Sequence, residues 1–154
     1  MVDHLYRRVE SLANAVRSDL RNKGFVIPVD NGDGTITFDD YTVVKEDTGF
    51  YSIKNRIEDT VVDKINLPQT AALLANRLAL GKFVDDQLVE CDRQYGYSLF
   101  HETLAKKQAE NSLKRKDVDR ADLMYTKYNI ARSKKLSAKK TIISSFEKLR
   151  RLNK

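Results

Sequence analysis

Asn31, Asp33 and Asp40 have the residue types, and nearly the spacing, of a calcium-binding loop. In the EF-hand pattern D-x-[DN]-x-[DN]-G, closed by a carboxylate at position twelve, Gly34 takes position six. Asn31 and Asp33 then fall on positions three and five, Ile36 on eight and Asp40 on twelve, but position one is Val29 instead of a carboxylate. An EF-hand also needs a helix on each side of its loop. Upstream, Phe25-Val26-Ile27-Pro28-Val29 contains a proline, which lacks a backbone donor and disfavours the end of a helix. Downstream, Tyr41-Thr42-Val43-Val44 favours a strand. Asn31-Gly32-Asp33-Gly34 is instead the composition of a tight hairpin turn, because Asn and Gly tolerate positive φ. Calcium is therefore not expected as a partner.

The remaining reactive residue types form no constellation. His4 and His101 are far in sequence from any obvious partner, and His101, in Ser98-Leu99-Phe100-His101, reads as a polar position on an apolar helix. Cys91 falls on an apolar stripe, the place of a packed thiol more than of a nucleophile. Zinc would need several Cys and His ligands at finger spacings. Gly81-Lys82 lacks the upstream glycine of a phosphate-binding loop. Asp85, Asp86 and Asp92 sit at the start of a helix, where carboxylates compensate the dipole. No catalytic residue, cofactor or metal is expected, and the chain reads as a non-enzyme.

The 154 residues suffice for one domain with a real core. They are 41% hydrophobic and 32% charged, more charged than the usual ~25%. The longest uncharged apolar run, INLPQTAALLAN, is well short of the ~20 residues that span a bilayer, so no membrane association is expected. The first twelve residues lack the apolar core of a signal peptide. A single cysteine excludes an internal disulfide and fits a reducing compartment.

The elements follow from periodicity. Over residues 3–22, Leu5, Val9, Leu12, Val16 and Leu20 keep to one stripe of a helix that stops at Asn22-Lys23-Gly24; core packing is its expected role, a partner its alternative. Residues 25–65 contain five short β-branched and aromatic runs separated by Gly, Asn and Asp, the pattern of a small antiparallel meander. Residues 66–81 form a helix with Asn66 as cap, Pro68 in the first turn and Gly81 at the end. Its alanines and leucines leave little polar surface, marking either the buried centre of the fold or an oligomer contact.

A third helix is expected from about 84 to 115. Val84, Leu88, Cys91, Tyr95 and Leu99 form one stripe, Tyr97, Phe100 and Leu104 a neighbouring one, and Gly96 marks a close crossing or a kink. A last helix runs from Asp117 to Asn153 on the stripe Ala121, Met124, Tyr128, Ala131, Lys135, Ala138, Ile142, Phe146 and Leu149. Lys135 there either bends the helix or snorkels out of the stripe. The short connection makes the two an antiparallel hairpin with its tip near 114–118. The expected fold is therefore α+β: a small β-meander packed on helices over 1–81, continuing into a long basic helical hairpin over 82–154.

Charge is unevenly spread. Residues 1–66 carry 9 Lys/Arg against 12 Asp/Glu, whereas residues 103–154 carry 16 against 5. The candidate contacts for a partner or a polyanion are Lys114, Arg115, Lys116, Arg120, Lys127, Arg132, Lys134, Lys135, Lys139 and Lys140. Beyond residue 117 these do not gather on one helical face, as a DNA-reading helix would require. Nonspecific phosphate binding needs no such order.

INLPQTAALLANRLALGKFVDDQLVECDRQYGYSLF and RADLMYTKYNIARSKK resemble, over about residues 60–150, small uncharacterised proteins of T4-like tailed phages infecting marine bacteria. The likeness rests on overall pattern and carries no functional residue. It implies a phage setting, in which compact proteins with protruding helices are often virion or assembly components. The expectation is a non-enzymatic protein made in the host cytoplasm and located in the virion, its hairpin interlocking with copies of itself or with a neighbouring virion protein. The alternative is a nucleic-acid-binding accessory protein for packaging or transcription that uses the basic hairpin.

Overall fold

The computed structural model describes Leu12 and residues 15–152, which form an α+β protein. Its elements are a helix over residues 15–22 (α1), strands β1 (Val29–Asp30), β2 (Ile36–Phe38), β3 (Tyr41–Lys45), β4 (Tyr51–Lys54) and β5 (Thr60–Ile65), then helices α2 (Pro68–Ala79), α3 (Asp86–Lys114) and α4 (Val118–Arg151). They divide into two compact units. One takes in the described residues up to Asp85 together with those from Ser145 onward, and the other runs from Asp86 to Ser144.

In the first unit the five strands follow one another in an antiparallel meander, β1-β2-β3-β4-β5. Each connection has local turn chemistry. The Asn31–Thr35 loop joins strand to strand, with no helix on either side. Its carboxylates are engaged by their own turns: Asp30 accepts from Gly32 N–H, and Asp33 from the Thr35 hydroxyl and N–H. Those two bonds, the hydroxyl's first, hold the Asp33 carboxyl below its ordinary pKa. Asp39-Asp40 alone links β2 to β3, with Asp39 at φ 52°. The Asn55 side chain accepts from Ile57 and Asp59 N–H to close the last turn.

One face of this sheet packs on α2, which lies across β2 to β5. Phe38, Val43, Ile53, Ile65, Leu67, Ala71, Leu74 and Ala75 are buried there, as are Phe25 and Val26 of the segment after α1. α2 begins at Pro68 as its sequence requires, but its cap position is Leu67, with no side-chain capping bond. The cap expected at Asn66 is thus displaced by one residue, because burying Leu67 in the core outweighs a polar cap worth about 1 kcal/mol. Gly24 and Gly81 end α1 and α2 in the left-handed conformation expected of them. At Gly24 the bonds Phe25 N–H to Leu20 O and Gly24 N–H to Arg21 O complete a Schellman closure.

Leu20 is buried, whereas Leu12 and Val16 are exposed at 67% and 55%. Core packing expected of the whole stripe is thus met at Leu20 and not at those two positions, and Leu5 and Val9 lie outside the described residues. Two polar side chains tie this end of the unit together. Arg21 pairs with Asp39 and donates to the Ala79 carbonyl. Asn76, buried on α2, accepts from Val26 N–H at 2.8 Å and donates to the Gly24 carbonyl at 2.9 Å, supplying partners for a backbone segment that has no ladder of its own.

Replacing Asn76 with alanine therefore strands a buried N–H and a carbonyl at once. We expect Asn76→Ala to cost about 2–3 kcal/mol in urea denaturation, more than a typical surface substitution. A loss below about 0.5 kcal/mol would show that these bonds are replaced by solvent.

Candidate functional site

The second unit is an antiparallel hairpin of α3 and α4. Its connection is Arg115-Lys116-Asp117, with Lys116 at φ 61° and Asp117 accepting from Arg120 N–H to start α4. The α4 stripe lies where its sequence places it: Ala121, Met124, Ala131, Ala138 and Ile142 are buried, and Tyr128 is half-buried.

On α3 the buried face differs from the expected one. Asp92, Ser98, Ala105, Ala109 and Ser112 are buried, while Leu99 and the Tyr97, Phe100 and Leu104 stripe are exposed; Asp92 is therefore not the solvated helix-start carboxylate expected of it. Small side chains on facing sides let two helices pack more closely than leucine-lined ones. The large apolar groups of α3 fall outside its buried face. α3 runs unbroken through Gly96.

α4 runs unbroken through Lys135, and the side chain does not snorkel out. It enters the seam and meets Glu102 of α3, Nζ to Oε2 at 2.6 Å, with the two side chains only 17% and 14% exposed. Glu102 was not anticipated. The signal for it is the row 98, 102, 105, 109 and 112, whose alternating steps of four and three put it on the same face as the buried small residues.

Packing small residues leaves the hairpin's large apolar side chains in solvent. Tyr97 is 67% exposed, Phe100 61%, Leu123 and Ile130 each 53% and Leu136 50%. Along one flank, Tyr97, Ser98 and His101 of α3 face Lys127, Ile130, Ala131 and Lys134 of α4 across a depression of about 250 Å³. His101 stacks edge-on against both Tyr97 and Phe100, at centroid distances of 4.4 and 5.6 Å.

The candidate basic residues separate into three sets. Lys114, Arg115, Lys116 and Arg120 are exposed at the tip. Lys127 and Lys134 border the depression, while Arg132, Lys139 and Lys140 lie elsewhere on α4, Arg132 donating to the Tyr128 hydroxyl. Lys135 is removed from the set of free contacts by Glu102.

Other groups with chemical potential are occupied structurally. The sheet's outer face forms a shallow hollow of about 510 Å³ bordered by Asp33, Asp39, Asp40 and Glu58. Asp39 there pairs with Arg21, and Asp40 with Arg56 at 3.8 Å. The Cys91 thiol donates to the Ala138 carbonyl at 3.4 Å, and burial, aided by the negative Asp92, pushes its pKa up. Among the described residues no three His, Cys, Asp or Glu side chains converge on a metal position, and no helix is long and apolar enough to cross a membrane. Comparison of the chain with protein families, with characterised proteins and with solved structures gives no match.

Two outcomes follow from this geometry. Lys135→Met leaves Glu102 without its partner and is expected to cost about 2–4 kcal/mol by denaturant titration, the partial exposure of both groups keeping it below the full-burial figure. Combining it with Glu102→Leu should restore most of the loss; a double variant no better than the single would mean that the pair is not what the seam needs. Cys91 should alkylate more slowly than a free cysteine peptide at pH 8, because less of it is thiolate. Equal rates there would contradict the raised pKa.

Proposed function

We propose that this chain is a non-enzymatic structural or assembly protein of a phage particle, whose helical hairpin interlocks with copies of itself or with a neighbouring virion protein. The observation that carries this reading is the solvent exposure of Tyr97, Phe100, Leu123, Ile130 and Leu136 on a hairpin whose own seam is made largely of small residues. Such side chains recur along the helices over most of their length, where single scattered ones would need no explanation. Covering them with another chain buries roughly 25 cal/mol for each Å² of apolar surface, a gain the hairpin cannot obtain internally. The phage setting is supported by the resemblance over residues 60–150 alone.

A second reading has its own observation. Residues 123–146 of α4 contain Lys127, Arg132, Lys134, Lys135, Lys139 and Lys140 and not one carboxylate. That stretch suits an accessory protein that holds nucleic acid through phosphates, without base readout.

The assembly reading is tested by sedimentation velocity of the purified chain over a range of concentrations and by searching for the chain in purified particles. Association, or incorporation into particles, that weakens when Ile130 or Leu136 becomes glutamate is the expected result. A chain that stays monomeric at every concentration and never occurs in particles defeats the reading. The second reading predicts DNA binding that persists at physiological salt, falls steeply as salt rises and is lost when Lys127, Lys134, Lys139 and Lys140 are neutralised together.

A further inference from the structure

We infer that the flank of the hairpin holding Tyr97, His101 and Ile130 is a docking groove for an amphipathic helix of another protein, one that carries carboxylates beside its apolar stripe. This inference rests on the assembly reading and names the chemistry of the partner.

Three observations lead to it. The first is spacing. Tyr97, His101 and Leu104 on α3, and Leu123, Lys127, Ile130 and Lys134 on α4, recur in steps of three and four. That is the spacing at which side chains of one helix receive the knobs of another. Tyr97 and His101 of the first row and Lys127, Ile130 and Lys134 of the second border one depression, so a third helix laid there would complete a three-helix bundle. From Leu123 to Lys134 the α4 row extends for roughly 16 Å, enough to meet about three turns of a partner helix.

The second observation is chemistry along the rows. Leu104, Leu123 and Ile130 are aliphatic, exposed and in register with the aromatic residues. Nucleic acid engages aromatic faces and cations, and it has no use for a leucine–isoleucine row, whereas an apolar helix stripe does.

The third is charge. Lys127 and Lys134 border the groove, and among the described residues neither meets a carboxylate. Pairing this flank with the same flank of a second copy would set lysine rows near each other, which like-charge repulsion opposes. Nor do the chain's other amphipathic stretches supply an acidic stripe. Residues 3–22 carry Arg7, Arg8, Arg17 and Arg21 against Asp3, Glu10 and Asp19, and α2 has no carboxylate. The complementary occupant is therefore a different chain.

A fluorescein-labelled peptide of about three heptads, with Leu at the a and d positions and Glu at e and g, provides the probe. By anisotropy the full chain should bind it with a Kd of about 10 µM or tighter. Ile130→Glu should weaken binding at least about tenfold, as expected for an anchor at the centre of an interface. Ile57→Glu, an exposed position in the turn between β4 and β5, should leave it unchanged. Lys127→Glu combined with Lys134→Glu should reverse the preference toward a peptide with Lys at e and g, and circular dichroism on each variant separates lost binding from lost fold. The inference is overturned if the acidic peptide does not bind, if Ile57→Glu weakens it equally, or if a single-stranded oligonucleotide displaces it in a manner that depends on Tyr97. Should the chain still self-associate or enter particles while the peptide fails, the groove assignment falls and the assembly reading stands. Loss of both removes the assembly reading as well.

Discussion

The hairpin depends on one charged contact, the Glu102–Lys135 pair in its seam. Elsewhere this interface is built largely of alanine and serine, which offer little shape by which one helical register could be told from another. A slip by one turn would leave both charges facing methyl groups, and an unpaired charge in such surroundings costs several kcal/mol. Alanine against alanine is nearly indifferent to the same slip. The pair thus acts less as a source of net stability than as the feature that selects a single alignment, the role best attested for polar groups in coiled-coil seams.

From that alignment the surface follows. The buried positions of α3 and α4 are taken largely by small residues, with Met124, Ile142 and the Glu102–Lys135 pair among them, and Tyr97, Phe100, Leu123, Ile130 and Leu136 are placed outward. With the pairing in register, the outward residues of the two helices line up in rows instead of scattering, and the depression beside Tyr97 and Ile130 is the result. A thicker seam of leucines would have spent the same apolar residues internally. The small-residue seam therefore both stiffens a thin element and leaves it incomplete, which is the physical basis of the assembly reading.

Where neighbouring residues alone determine the local conformation, the sequence was readable. Gly24 and Gly81 mark helix ends because a left-handed closure strongly favours glycine, Pro68 marks a first turn, and four of the five β-branched runs emerge as strands, the first contributing only Val29 to β1. The α4 stripe was readable because its small and large apolar positions coincide on one face. α3 was not. Its most hydrophobic residues and its buried residues are different sets, so reading hydrophobicity alone selected Leu99, Tyr97 and Phe100, while the buried residues are Asp92, Ser98, Ala105, Ala109 and Ser112. Glu102 was hidden for the same reason, a carboxylate being the last residue type assigned to a seam. Asn76 on α2 was hidden because its partners are backbone groups of Gly24 and Val26, fifty residues away in the chain.

The basic character of α4 also reads differently once Lys135 is accounted for. Its charge is spent within the hairpin, and the remaining cations stand on more than one side: Lys127 and Lys134 at the groove, Arg132 and Lys139 away from it. Charge so distributed draws an acidic partner toward the hairpin from many directions and raises the encounter rate, but it discriminates poorly between faces. Discrimination has to come from contacts that are short in range and sensitive to shape. On this hairpin those are the outward apolar rows. On the proposed docking, electrostatics and apolar burial would divide the work of recognition, the lysines setting how often a partner arrives and the Tyr97–Ile130 flank setting where it stays.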